Sequence, residues 1–372
     1  MDEPRKKVVV GLSGGVDSAV ACIVLQKAGY DVEAMFMRNW DSSINGDVLG
    51  NPNDPNDVCP QEKDYMDAMD VANKLGIKLH RIDFVEEYWD NVFKYFISEY
   101  KAGRTPNPDI LCNKEIKFKC FLEKAMQMGF DYIAMGHYAR SDHDKLYKGV
   151  DQNKDQSYFL CQLSKEQISK SIFPIGDMCK DEVRKIAKEY GLSIATKKDS
   201  TGVCFIGERN FRQFLKNYIP AKSGEMMTLD GKVVGTHEGV MYYTIGQRHG
   251  LSIGGPGEAW FVVGKDVNKN ILYVGQGDMQ DYLYSNRCIV TNINWIGEKF
   301  EGELKCSAKF RYRQKDVEVF LKWIDNDHLE VNYPSLSRAV TPGQAAVFYD
   351  NDRLIGGSTI ESVYMNDEKR RY

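Results

Sequence analysis

One short segment limits what this chain can become. The run Gly11-Leu12-Ser13-Gly14-Gly15-Val16-Asp17-Ser18 follows an apolar stretch over residues 8–12 and opens an amphipathic stretch over 17–28. Adjacent glycines let a backbone turn tightly and aim successive N–H groups at an anion, and the helix that follows adds its positive end. Such a loop belongs at the carboxyl edge of a parallel sheet. The neighbouring sequence supplies one. Residues 32–37, 77–84 and 132–135 read as further strands, and 17–28, 61–75 and 87–101 as helices, with Gly29 as a helix stop. Strands alternating with helices imply right-handed crossovers and a sheet covered on both faces.

Within the loop, Ser13 and Ser18 are hydroxyl donors for phosphate, and Asp17 makes chemical sense beside phosphates as a partner for Mg²⁺. The Walker pattern and its lysine are absent. The order Ser13-Gly14-Gly15-Val16-Asp17-Ser18 instead resembles the PP-loop of ATP pyrophosphatases, which cleave ATP to AMP and pyrophosphate while adenylating an oxygen of their substrate. By that resemblance Met37 and Gly136 contact the nucleoside; Met37 also reads as core packing.

The chain has nine cysteines and no Cys-x-x-Cys spacing, which argues against both a disulfide framework and a zinc site. Two cysteines lie in distinctive surroundings. Asn107-Pro108-Asp109 precedes Cys112, and the pattern there turns from proline-stiffened to helical, placing Cys112 near a helix N-terminus with Lys114 and Lys117 close by. Such an electropositive setting favours a thiolate. Cys120 reads as core. Cys204 follows Asp199-Ser200-Thr201-Gly202, with basic residues on both sides. Standing alone, beside Val203, Phe205 and Ile206, it reads more readily as a buried small hydrophobe.

The loop, the Asn107-to-Asn113 segment and the Asp199-to-Gly207 segment occur together and in this order. From about residue 6 to about residue 365 the chain resembles the bacterial tRNA-specific 2-thiouridylases, the MnmA family. The resemblance implies an ATP-dependent tRNA-uridine 2-sulfurtransferase that replaces the C2 oxygen of the wobble uridine in tRNAs for lysine, glutamate and glutamine with sulfur. It implies that Cys204 receives sulfur as a persulfide and that Cys112 works with it as nucleophile. Either hydrosulfide is released from Cys204 by Cys112, or the persulfide attacks C2 first and Cys112 resolves the adduct. Asp109 is placed for general acid or base work, and Asn107 and Pro108 for holding the flipped base. A cysteine desulfurase or a sulfur-relay protein is the implied partner. Asp109, Cys112 and Cys204 are also a three-ligand set for an iron–sulfur cluster, a reading ranked below the persulfide route.

The net charge of −4 offers no global attraction to RNA, so any RNA surface must be local. Residues 305–315 hold five basic residues and no acidic ones, and in a strand Lys309, Arg311, Arg313 and Lys315 would share a face. Alone, this patch reads as a solvated strand face. The family resemblance adds His137, Lys154, Asp155, Gln156, Arg311, Tyr312 and Gln344 as tRNA contacts. His137 has no second histidine at metal-ligand spacing.

The expected architecture is α/β: an N-terminal parallel-sheet domain over 1–209, a small central domain over 210–282 of short Gly-rich strands, and a C-terminal β-barrel over 283–372. The polar stretch 141–155 reads as a mobile loop facing the substrate. No apolar run is long enough for a signal peptide or a membrane span, and a cytoplasmic location is the expectation.

Overall fold

The computed structural model describes residues 5–49, 60–199, 210–220, 222–298 and 300–372. They fall into two compact units. The first comprises residues up to 93, then 108–210 and 352–354; the second comprises 94–107, 211–351 and 355–372.

The first unit is built on a five-stranded, all-parallel sheet. It contains β1 (Lys7–Gly11), β2 (Asp31–Arg38), β3 (Leu79–Asp83), β4 (Tyr132–Ala134) and a short last strand, Ser171–Ile172, in the order β3-β2-β1-β4 followed by that strand. Val8, Val9 and Val10 of β1 are wholly buried, as a central strand covered on both faces requires. Helix α1 (Val16–Lys27) is buried around most of its circumference, through Ala19, Val20, Ala21, Cys22, Ile23 and Leu25. Burial of Val20, Ile23 and Leu25 contributes about 1.5–3 kcal/mol each. The strand order reverses between β1 and β4, the position at which sheets of this kind bind ligands.

One expectation fails here. The first half of the stretch read as a mobile loop, 141–148, belongs to a β-hairpin, β5 (Ala139–Asp142) against β6 (Lys145–Lys148), with His143 at φ 53° in its turn; residues 149–155 carry no strand. Few apolar side chains mark it, but Ala139 and Leu146 are fully buried, and Tyr147 and Leu146 pair in turn with Arg353 and Leu354. The partner strand lies two hundred residues away in sequence, beyond any local pattern.

The second unit carries a four-stranded sheet in the order Phe261–Asp266, Ile271–Gly275, Gly224–Met227, Val233–His237. It also carries a closed barrel. Strands Tyr284–Trp295, Leu329–Arg338, Val317–Trp323, Glu303–Lys309, Ala345–Asp350 and Arg353–Met365 follow one another round, and the last pairs with the first. Its core includes Val290, Phe310, Val331 and Phe348. The expectation of a parallel-sheet domain, a small central domain and a C-terminal barrel holds.

Close backbone approach sets the position of β4 against α1. A Cβ added to Gly136 would lie 2.7 Å from the Ser18 nitrogen and 2.8 Å from the Asp17 carbonyl carbon. Neither can yield as a side chain could. Gly136→Ala is therefore expected to cost about 1–3 kcal/mol in chemical denaturation. Gly254→Ala, where a Cβ meets nothing within 4 Å, should change stability by less than about 0.5 kcal/mol. Equal effects would show that this approach does not constrain the fold.

Candidate active site

The loop after β1 is closed on itself before any ligand arrives. The Ser13 amide donates to Ser18 Oγ at 3.2 Å, and Ser18 Oγ donates to the Gly15 carbonyl at 3.1 Å. Gly14 has φ +74°, and a Cβ there would lie 2.2 Å from the Asp64 carbonyl oxygen of α2 (Pro60–Leu75). Only glycine satisfies both the conformation and the contact. Ser13 remains exposed at the tip.

Two lysines fix this loop from a distance in sequence. Lys197 Nζ donates to the Gly14 carbonyl at 3.1 Å, to Asp64 at 2.8 Å and to Asp67 at 2.6 Å. Lys180, largely buried, reaches Asp17 Oδ1 at 2.7 Å and Oδ2 at 2.9 Å, and Asp199 Oδ1 at 2.7 Å. Tyr138 OH donates to Asp17 Oδ1 at 2.8 Å. Asp199 also accepts from Lys154 at 2.6 Å and from Arg184 at 2.9 Å. Desolvation works against the Asp199 charge, but Lys154 and Lys180 more than offset it and hold its carboxyl down to about 2. A cation thus stands against the loop although the Walker lysine is missing. The sequence does not mark Lys180, Lys197 and Tyr138, because their partners in and around the loop lie more than a hundred residues away. The run Lys197-Lys198-Asp199 was the one available signal.

Met37, at the end of β2, is buried; its Cε lies 3.4 Å from where a Gly11 Cβ would be, and Met135 Sδ lies 2.6 Å from the same point. Gly11, Met37, Met135 and Gly136 thus gather at the carboxyl ends of β1, β2 and β4.

Cys112 is fully buried in a helix that runs through Pro108–Leu111, a wider π-type stretch Cys112–Cys120, and Phe121–Gln127. Such π stretches concentrate at functional sites. Ile116, Phe118 and Phe121 anchor it in the core, and Asn113 Nδ2 donates to the Phe159 carbonyl at 3.0 Å. Cys204, with the rest of residues 200–207, lies outside the described residues.

Residues 6–208 match the family profile described as a tRNA methyl transferase HUP domain, residues 212–276 a tRNA methyl transferase PRC-barrel domain, and residues 285–360 an aminomethyltransferase beta-barrel domain. A tRNA-specific 2-thiouridylase MnmA of Acholeplasma laidlawii is 57% identical over 99% of this chain and 100% of its own length. The chain belongs to the MnmA family. Proteins of the same name from Bacillus cytotoxicus and Geobacillus thermodenitrificans are 54% and 55% identical, each over 98% of this chain and 97% of their own length.

The residues that the MnmA resemblance marks for tRNA are mostly engaged within the protein. His137 is buried between Phe118 and Phe173, ring centroids 5.9 and 6.3 Å away, and its Nδ1 has no partner among the described residues. Burial, then Lys117, pushes its pKa well below the usual histidine value. The buried Asp155 carboxylate accepts from the Gly149 and Ser157 amides, each at 3.1 Å, and Gln156 Oε1 accepts from the Tyr138 amide at 3.1 Å. Arg311 donates to the Ile245 carbonyl at 3.0 Å and to Thr341 Oγ1 at 3.1 Å. The expected common strand face of Lys309, Arg311, Arg313 and Lys315 does not exist. The strand ends at Lys309, and Gln314 Oε1 accepts from the Phe310 amide at 2.9 Å to turn the chain. Gln344 Nε2 donates to the Thr105 carbonyl at 2.7 Å.

The Asp199 tie has a defined pH window. Its folded pKa of about 2 lies below the ordinary 3.8, so its stabilisation is complete above about pH 4 and is lost as pH falls toward 2. Discounted for solvent screening, Asp199→Asn should cost about 1–2 kcal/mol at neutral pH. Denaturation of both proteins at a series of pH values should show the gap closing in that window; a pH-independent gap would contradict the assignment.

Proposed function

We propose that this protein is a tRNA-uridine 2-sulfurtransferase that uses ATP to adenylate the C2 oxygen of wobble uridine in tRNAs for lysine, glutamate and glutamine, then replaces that oxygen with sulfur. The observation that carries the reading is full-length likeness, at 53–57% identity, to proteins named tRNA-specific 2-thiouridylase. The site's chemistry supports it.

The amides of residues 13–15 and the start of α1 would receive the phosphates, with the exposed Ser13 as hydroxyl donor; the Ser18 hydroxyl, expected to serve likewise, is spent on the Gly15 carbonyl. Lys180 and Lys197 would stand beside them as cations. Asp17 is partly exposed at the loop's edge and is a single carboxylate, which suits Mg²⁺ arriving with its nucleotide and waters. Met37 and Gly136 would border the nucleoside. The uridine C2 oxygen attacks the α-phosphorus, pyrophosphate leaves, and C2 now carries AMP as its leaving group. Asn107 and Pro108 would hold the flipped base and Asp109 would exchange a proton with it. Sulfur comes from a Cys204 persulfide charged by a cysteine desulfurase or relay protein. In one route Cys112 thiolate attacks Cys204 sulfur and releases hydrosulfide, which displaces AMP. In the other the persulfide displaces AMP, and Cys112 then frees the thiouridine. Both end with a Cys112–Cys204 disulfide, reset by an external thiol.

Two results test this. Cys112→Ser and Cys204→Ser should each reduce 2-thiouridine, measured by nucleoside mass spectrometry, to background while pyrophosphate release on tRNA continues. Undiminished thiolation would refute the mechanism, and a methylated nucleoside instead of a thiolated one would refute the function. Lys180→Met should slow pyrophosphate release by about 10²-fold, the usual effect of losing a preorganised electrostatic group; an unchanged rate would remove Lys180 from the phosphate site.

A further inference from the structure

Within the second unit, the segment that leads toward the Cys112 helix is held at two places. Lys265 Nζ donates to the Gly103 carbonyl at 2.9 Å, and Val267 occupies the space a Gly103 Cβ would need, its Cγ2 2.4 Å away. The Thr105 amide donates to the Pro342 carbonyl at 3.0 Å, and Gln344 Nε2 donates to the Thr105 carbonyl at 2.7 Å. Thr105 is buried, yet its hydroxyl has no partner among the described residues, so the hold described is on its peptide groups and not its side chain.

The clamping turn, residues 341–344, is itself rigid. Gly343 has φ +89°, and a Cβ there would lie 2.8 Å from the Thr105 nitrogen. The Gly343 amide donates to the Ile360 carbonyl at 2.8 Å, and the Ile360 amide to the Gln344 carbonyl at 2.8 Å, fixing the turn to the barrel. Arg311 braces Thr341 Oγ1. Beyond Thr105 the chain runs Pro106-Asn107-Pro108. The two prolines restrict backbone freedom on both sides of Asn107, so a displacement at Thr105 is carried covalently to Asn107.

We infer that Gln344 is a positioning residue: through the Thr105 peptide it sets the placement of the base-holding Asn107, and this role exists in the RNA-free protein. The inference rests on the sulfurtransferase reading for its catalytic consequence, but the clamp itself can be tested without it.

The test uses the full chain with Gln344→Ala, Gln344→Glu, which keeps the length but presents no donor to a carbonyl, and Lys265→Met on the opposite clamp. In RNA-free protein, limited trypsin cleavage after Arg104, read by mass spectrometry, should speed up about five- to tenfold in both Gln344 variants, the worth of one buried hydrogen bond. Lys265→Met should act in the same direction, and Thr105→Val should cleave like the wild type. At saturating tRNA, the single-turnover thiolation rate of the Gln344 variants should fall about tenfold while the tRNA Kd moves less than about twofold. Unchanged cleavage with a raised Kd and a normal saturating rate would make Gln344 an RNA contact and overturn the proposal. So would faster cleavage with an unchanged saturating rate. If Gln344→Ala fails to fold, Gln344→Glu and Lys265→Met decide by the same criteria. Absence of thiolation by the wild type would sink the sulfurtransferase reading alone, leaving the cleavage comparison intact.

Discussion

The first unit turns on the tie from Asp17 through Lys180 to Asp199. Asp17 opens α1, and Lys180 begins the helix Lys180–Glu189, whose amide nitrogen at that residue is also held by Asp151 at 3.0 Å. Asp199 closes the chain of charges and gathers Lys154 and Arg184. One buried ammonium thus fastens the loop's helix to the segment that leads toward Cys204. A charge this far from water is costly unless paired, and both of its neighbours are carboxylates. The pairing also sets a cation from another element beside a loop that lacks its own lysine.

Much of this was legible in sequence because it is local. The glycine pair, the continuous valines of β1 and the helix that follows define a strand–loop–helix unit by propensity and patterning alone, and the structure contains it within a residue or two. The barrel strands were legible for a related reason, since alternation of buried and exposed residues survives without knowledge of partners. What escaped was long-range. Lys180 and Lys197 look like ordinary surface lysines in their own segments and acquire meaning chiefly through partners 130 to 183 residues away. The β5–β6 hairpin escaped because its polarity resembles that of a loop.

Arg311 and Gln344 illustrate a different limit. Basic and polar residues in a barrel that is read as an RNA platform invite an RNA role, yet here both donate to groups of the protein itself. Arg311 braces a turn, and Gln344 uses that turn to hold Thr105. Side chains of this kind can serve a ligand and the fold by the same hydrogen-bond capacity, and sequence gives no means of separating the two. The burial of His137, with one ring nitrogen unpartnered among the described residues, is the reverse case: a polar group inside the protein whose capacity the fold leaves unused.

The central claim is that ATP activates the oxygen that sulfur replaces. It is tested most directly with tRNA carrying a heavy-oxygen label at C2 of the wobble uridine, turned over once with ATP and a persulfide donor. Adenylation predicts that the label appears in the phosphate of AMP, in equal amount to the 2-thiouridine formed. Label recovered in water or inorganic phosphate, with AMP unlabelled, would contradict it.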